Sequence, residues 1–225
     1  MNRIALYDMD RTITRHGTYS GFLAHMALRV APWRLVLVPI VLIVMLCYIL
    51  GLIPRGRSKE INQWLMMGDR VSREAIRAHV ESYADRVVAR GILPGALAQI
   101  AADRATGATL VIASASYRLY VEPIAARLGF DHVIATDHVS QGTQYLRAKI
   151  SGENCYDLAK LRMIHAWMMR EGLNRSECHI RAYSDHVSDA PMLDYADEAF
   201  AANPSRKLRI LAKLKGWPVL DWREG

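Results

Sequence analysis

From Gly107 onward, short apolar runs alternate with helix-length stretches, and this alternation restricts the fold more than any other feature of the chain. Residues 109–113 (T-L-V-I-A), 132–136, 179–183 and 199–202 each read as a strand. The stretches 117–128, 156–171, 190–196 and 205–215 read as helices, the first closed by Gly129. A further apolar run, 4–7, stands near the N-terminus and is followed by acids. Strands alternating with helices predict an α/β fold built on a doubly wound parallel sheet. Runs that are apolar throughout fit strands covered on both faces.

Residues 14–92 interrupt the pattern and contain no convincing strand. Within them, 71–90 has helical spacing and ends at Gly91, and Pro94 opens the next helix, which stops near Gly107. The expected organisation is a core of residues 1–13 and 93–225 with an inserted all-helical cap, 14–92. A length of 225 residues suits one α/β domain with such an insertion, and 52% apolar residues suffice for a core.

In open α/β sheets ligands sit beyond the carboxyl ends of the strands. Asp8 and Asp10 follow the first strand, Ser114 the second and Asp185 a later one. If the chain stays extended after residue 7, the carboxylates of Asp8 and Asp10 point the same way. Two converging carboxylates suit a nucleophile beside a general acid/base, or a hard-metal site; acids at strand ends are also commonly just solvated. Ser114 could hold a phosphate oxygen with the amides that follow, or cap the helix that starts near Tyr117. Lys160, on a helix, could neutralise a phosphoryl group or simply face water. Asp185 and Asp189 could complete a magnesium site, or be a turn acid and a helix cap.

The order D-M-D-R-T, a strand-ending Ser, a helical Lys and S-D-x-x-x-D resembles the four motifs of the haloacid dehalogenase (HAD) phosphatases. The tail A-N-P-S-R-K-L-R followed by G-W-P-V-L is similar to the phosphoserine-phosphatase-like branch. The resemblance covers nearly the whole chain and is weakest over 14–92. It implies a Rossmann-like core with a cap, and a Mg2+-dependent phosphomonoester hydrolase. It implies Asp8 as nucleophile, forming an aspartyl-phosphate, and Asp10 as general acid, then base. Mg2+ would be held by Asp8, the Asp10 main-chain carbonyl and Asp185. Ser114 and Lys160 would bind the phosphoryl oxygens, and Thr12 and Asp189 would support the site. Arg11 departs from the small residue common at its position.

Residues 35–54, L-V-L-V-P-I-V-L-I-V-M-L-C-Y-I-L-G-L-I-P, hold no charge. As one helix they would span roughly 30 Å, about a bilayer core. A single crossing would separate Asp8 from Ser114, Lys160 and Asp185, which must meet in one site. The segment is therefore expected to be re-entrant or to lie in the membrane interface; the alternatives are a buried cap helix and an oligomer contact. Arg29, Arg34, Arg55, Arg57 and Lys59 flank it, and basic flanks fit an anionic membrane surface. A net charge of +7 fits anionic lipid, nucleic acid or a phosphorylated small molecule. The basic residues are scattered without a nucleic-acid reader motif, so nucleic acid is not an expected partner.

Three cysteines without a C-x-x-C pair argue against a zinc site or disulfide framework. Residues 1–8 read as a strand and not as a signal peptide, which places the chemistry in the cytosol. The sequence is similar to the phosphatidylglycerophosphatase branch, which also carries an apolar cap segment. The leading expectation is a peripheral or monotopic lipid phosphatase on the cytoplasmic face of the bacterial inner membrane. The rivals are a cytoplasmic phosphatase of a soluble monoester such as phosphoserine, and a membrane-bound binding module without catalysis. The oligomeric state is left open.

Overall fold

The computed structural model describes residues 1–223, so the last two residues of the expected core lie outside the described residues. Its central strand is β1 (Asn2–Tyr7). Side chains alternate across a strand. Ala5 and Tyr7 therefore pack into one apolar cluster, with Ile100, Val121 and Ile124. Ile4 and Leu6 pack into the other, with Ile164, Trp167 and Leu208. Burial on both faces is why the run is apolar throughout rather than alternating.

The remaining strands are β2 (Arg70–Ser72), β3 (Thr109–Tyr117), β4 (His132–Gln141), β5 (Tyr145–Ser151), β6 (Cys178–Ser184), β7 (Glu198–Ala202) and β8 (Val219–Leu220). They form one sheet in the order β2-β5-β4-β3-β1-β6-β7-β8. All pairs from β4 to β8 are parallel. β5 runs antiparallel to β4, and β2 antiparallel to β5. The helices are α1 (Thr18–Val30), α2 (Val38–Ile49), α3 (Arg55–Met67), α4 (Arg73–Gly91), α5 (Pro94–Ala105), α6 (Arg118–Leu128), α7 (Leu158–Arg170), α8 (Ala190–Tyr195) and α9 (Arg206–Lys215). After β1 the chain winds to one side through β3 and β4, then returns to the other side of β1 as β6. This reversal opens a crevice at the carboxyl end of β1, where the expected site residues lie.

Residues 14–92 carry α1 to α4. Their chain leaves and re-enters the core through a neck closed by the Thr14–Ile92 bridge and by Leu93 N–H donating to Ile13 O at 2.9 Å. The expectation of an all-helical cap needs correction, because β2 lies within it and pairs with β5. The outer half of β4 and all of β5 are likewise additional strands. They mix Asp137, His138, Ser140, Arg147 and Lys149 with few apolar residues, because this hairpin is only partly covered. A half-exposed hairpin leaves no apolar run to read.

The uncharged segment is not one straight helix. Pro32–Leu37 forms a tight 3-10 turn that runs into α2, which is about 18 Å long at 1.5 Å per residue. Gly51 then turns the chain with φ 73°, and α3 packs against α2. Only one edge of the segment, with Leu35 and Val41, rests on the core cluster. Val36, Leu42, Ile43, Leu46, Ile49 and Leu52 are all more than half exposed. Within this chain α2 is thus not a buried cap helix. Pro32–Ile49 is long and apolar enough, by length and composition, to cross a membrane.

Candidate active site

Each expected site residue follows from the strand that carries it. Asp8 continues β1, its N–H donating to Tyr183 O at 3.0 Å in the parallel ladder. Ser114 lies in β3, just before the register with β4 shifts. Asp185 follows β6, and Asp189 ends a short turn, Val187–Asp189, leading into α8. Lys160 is in the first turn of α7. All five are buried.

Lys160 Nζ donates to Asp8 Oδ1 at 2.8 Å and lies 2.8 Å from Asp189 Oδ1. Ser184 Oγ donates to the other oxygen of Asp189 at 2.7 Å. Asp189 occupies the cap position of α8 but makes no capping bond, so its side chain serves Lys160 and not the helix. Burial works against the Lys160 charge, yet Asp189 and Asp8 outweigh it and raise its pKa. A buried ammonium with two acid partners stays charged.

Thr12 Oγ1 stands 3.0 Å from Asp8 Oδ2 and 3.3 Å from Asp185 Oδ1, and accepts from Asp185 N–H at 3.0 Å. One hydroxyl proton cannot serve both carboxylates. Burial raises the pKa of Asp8; Lys160 opposes this, and Asp189 and Asp10 add to it. Burial also raises that of Asp185, with Asp8 and Asp189 adding to the rise. Three buried acids, Asp8, Asp185 and Asp189, around one ammonium form a place that suits a hard divalent cation. Among the described residues no three His, Cys, Asp or Glu side chains converge as a metal cluster. The expected donors are two carboxylates and a main-chain carbonyl, and the two carboxylates, buried against one Thr12 hydroxyl that can satisfy only one of them, fit a cation there.

Asp10 departs from the extended geometry expected of the D-x-D pair. After Asp8 the chain enters a wide turn, Met9–Ile13, in which Arg11 takes φ 63°. The Asp10 carboxylate accepts from Thr18 N at 2.5 Å, Thr18 Oγ1 at 2.7 Å and Ser116 Oγ at 2.5 Å. It therefore faces the start of α1 and the last residues of β3, on partners that Asp8 does not share. Ser114 Oγ accepts from Ser116 N at 3.1 Å; it is not the cap of α6, whose first turn follows Tyr117. Thr18 and Ser116 were not singled out in the sequence. The S-A-S pattern after a strand and a Thr at a helix start were the available signals.

Of the basic flanks, two are consumed inside the fold. Arg34 donates to Trp64 O and Leu65 O at 3.0 and 2.9 Å, closing the end of α3. Lys59 is buried and donates to Ala115 O. Arg57 pairs with Glu60, and Arg55 lies over the Tyr156 ring.

The family model for haloacid dehalogenase-like hydrolases matches residues 5–194, which contain every one of these site residues. The chain belongs to the haloacid dehalogenase-like hydrolases. The hydrolase is 34% identical over 150 residues to a probable phosphatase of Mycobacterium tuberculosis, a match covering 65% of this chain and 50% of that protein. It is 33% identical over 146 residues to a phosphoserine phosphatase of the same species, covering 64% of this chain and 46% of that one. The hydrolase thus spans about half the length of the curated relatives it matches. Among solved structures, a protein of unknown function from Bordetella pertussis Tohama I superposes with a TM-score of 0.88 at 24% identity, covering 99% of both chains. A phosphoserine phosphatase solved as a phospho-aspartyl intermediate analogue superposes with a TM-score of 0.65 at 17% identity, covering 99% of this chain and 94% of that one. The HAD fold expected from the four motifs is therefore the fold found.

Proposed function

We propose that this hydrolase is a Mg2+-dependent phosphatase that works through an aspartyl-phosphate on Asp8, on a phosphomonoester carried by a lipid. The observation that supports the chemistry is the buried constellation in which Lys160 bridges Asp8 and Asp189 while Thr12 touches Asp8 and Asp185. In this reading an Asp8 oxygen attacks phosphorus and the ester oxygen leaves, taking a proton from Asp10. Asp10 then draws a proton from water, whose oxygen attacks the aspartyl-phosphate, releasing inorganic phosphate and restoring Asp8. Lys160 holds Asp8 ionised and oriented, and it offsets negative charge as the phosphoryl group arrives. Ser114 supplies a hydroxyl to a phosphoryl oxygen. Asp189 holds Lys160, and Ser184 holds Asp189. Mg2+ held by Asp8, Asp185 and the Asp10 carbonyl would supply Lewis acidity, allowing a carboxylate to approach a phosphate of like charge.

The lipid half of the reading rests on α2, which is apolar on all sides and exposed. An uncovered apolar patch of this size marks an interaction surface. Of the basic side chains at its ends, Arg29 and Arg57 are exposed, Arg57 while paired with Glu60, and exposed basic groups suit an anionic membrane surface. The placement that follows is the cytoplasmic face of a bacterial inner membrane, with α2 in the interface and the core in water.

The test measures phosphate release with Mg2+ from phosphatidylglycerophosphate, phosphatidic acid and lysophosphatidic acid in mixed micelles. Phosphoserine and other soluble monoesters are run alongside, with Asp8→Asn as the blank. Preference for lipid phosphates supports the whole reading. Preference for phosphoserine keeps the mechanism and discards the lipid; activity equal to the blank on all of them discards the mechanism.

A further inference from the structure

We infer that Lys59, a cap residue on α3, is a positioning residue for the reaction: its ammonium holds the bulge in β3 whose Ser116 hydroxyl orients Asp10. The inference rests on the reading of Asp10 as the proton donor to the leaving group.

The geometry runs through a chain of contacts. Lys59 Nζ donates to Ala115 O at 2.6 Å and to Asn154 Oδ1 at 2.8 Å. From the core side Thr136 Oγ1 reaches the same Ala115 carbonyl at 2.8 Å. That carbonyl thus meets a donor from the cap and, from the core, the Thr136 hydroxyl, which also lies 3.1 Å from Asn154 Oδ1. Ala115 joins Ser114 to Ser116, where the register of β3 against β4 shifts. Ser116 N–H donates back to Ser114 Oγ, and Ser116 Oγ donates to Asp10. At this bulge Ala115 and Ser116 have no register partner on β4, so an outside donor has leverage over where Ser116 points.

Lys59 is costly where it sits. It is 7% exposed, and no carboxylate lies within ion-pair distance among the described residues; its partners are a carbonyl, an amide and the Tyr117 ring, 4.2 Å from Nζ. Burial, with Arg55 adding to it, pulls its pKa down to about 7, against Cys155 and Asp10, which oppose the fall. Lys160, equally buried, has two acids. A buried cation without a counter-ion lowers stability, and a residue that lowers stability beside an active site is expected to serve activity. The placement also ties the cap to the chemistry: Tyr19 of α1 donates to Lys59 O at 2.7 Å, so movement of the cap moves the clamp.

The experiment compares wild type, Lys59→Met and the blank Asp8→Asn on phenyl phosphate and p-nitrophenyl phosphate, whose leaving groups differ in basicity but hardly in shape. Loss of a well-placed general acid penalises the more basic leaving group. The expected result is a Lys59→Met protein that melts at or above the wild-type temperature. Its kcat/KM falls on the order of tenfold more with phenyl phosphate than with p-nitrophenyl phosphate. A merely structural Lys59 would lower the melting temperature and both substrates alike. Equal losses on the two substrates, or no loss, overturn the inference while a wild type well above the blank keeps the phosphatase reading. A wild type no better than the blank overturns both. Should the Met variant not fold, Lys59→Gln, which lacks the reach to Ala115, is read by the same ratio.

Discussion

Lys160 is the residue whose removal tells most about the site. Its side chain is 2% exposed between Asp8 and Asp189, so Lys160→Met would leave two buried acids without their shared cation. Breaking one side of a buried ion pair costs about 3–5 kcal/mol. We expect a loss of that order in urea unfolding, together with loss of phosphate release; unchanged stability would show that the acids shed their charge instead. His138 gives a second prediction. Its ring stacks on Tyr117, its Nε2 meets Gln63 at 2.8 Å, and the cations Lys59 and Arg73 face it. Burial first, then Lys59 and Arg73, pull its pKa down to about 3. Above pH 6.5 the ring is neutral folded or unfolded. Below it the unfolded chain takes up a proton that the folded one refuses, so stability falls with pH by up to roughly 1.4 kcal/mol per unit. His138→Phe keeps the stack and removes that slope: between pH 7 and pH 5 its melting temperature should drop less than that of wild type, and parallel curves would refute the assignment. Asp8, Asp185 and Asp189 were legible in the sequence because each follows a strand or opens a helix. The direction of Asp10 was not, because it depends on the left-handed turn at Arg11.

At the scale of elements, α2 separates composition from packing. An uncharged stretch can be a core helix or an interfacial one, and only its neighbours distinguish them. Here it lies on the outer side of the cap, packed against α3 and resting on the core cluster by one edge. Replacing Leu42 and Leu46, 60% and 54% exposed, by Gln should reduce co-sedimentation with anionic phospholipid vesicles while the melting temperature holds or rises. Undiminished co-sedimentation would leave α2 without a membrane role. The same packing decides the flanking charges, since Arg34 closes the end of α3 from within. Its replacement by Ala should destabilise the cap by about 1 kcal/mol through the hydrogen bonds it no longer gives these carbonyls. Thermal unfolding measures this, and no change would mean that water substitutes for it.

For the molecule as a whole, β1 at the reversal of sheet order gathers residues from 8 to 189 into one crevice. A cation shared by Asp8 and Asp185 binds only the folded chain, so Mg2+ should raise the melting temperature, and Asp185→Asn should abolish most of the rise. An identical rise in the variant would place the cation elsewhere. The parallel strands β1, β3, β4, β6 and β7 and the ends at which the acids sit were legible in the sequence, because apolar runs and the acids after them are local features; β2, β5 and β8 were not. Asp8, Ser114, Asp185 and Asp189 were candidates for the same reason, whereas Thr12 and Lys160 were singled out through the resemblance to the HAD motifs. Tertiary structure alone decided that β4 continues into a half-exposed hairpin carrying β2, that Asp10 turns to Thr18 and Ser116, and that Lys59 reaches Ala115. Each of these depends on partners 8 to 106 residues away in the chain. The choice between facing water and facing such a partner is made by packing, which local spacing does not encode.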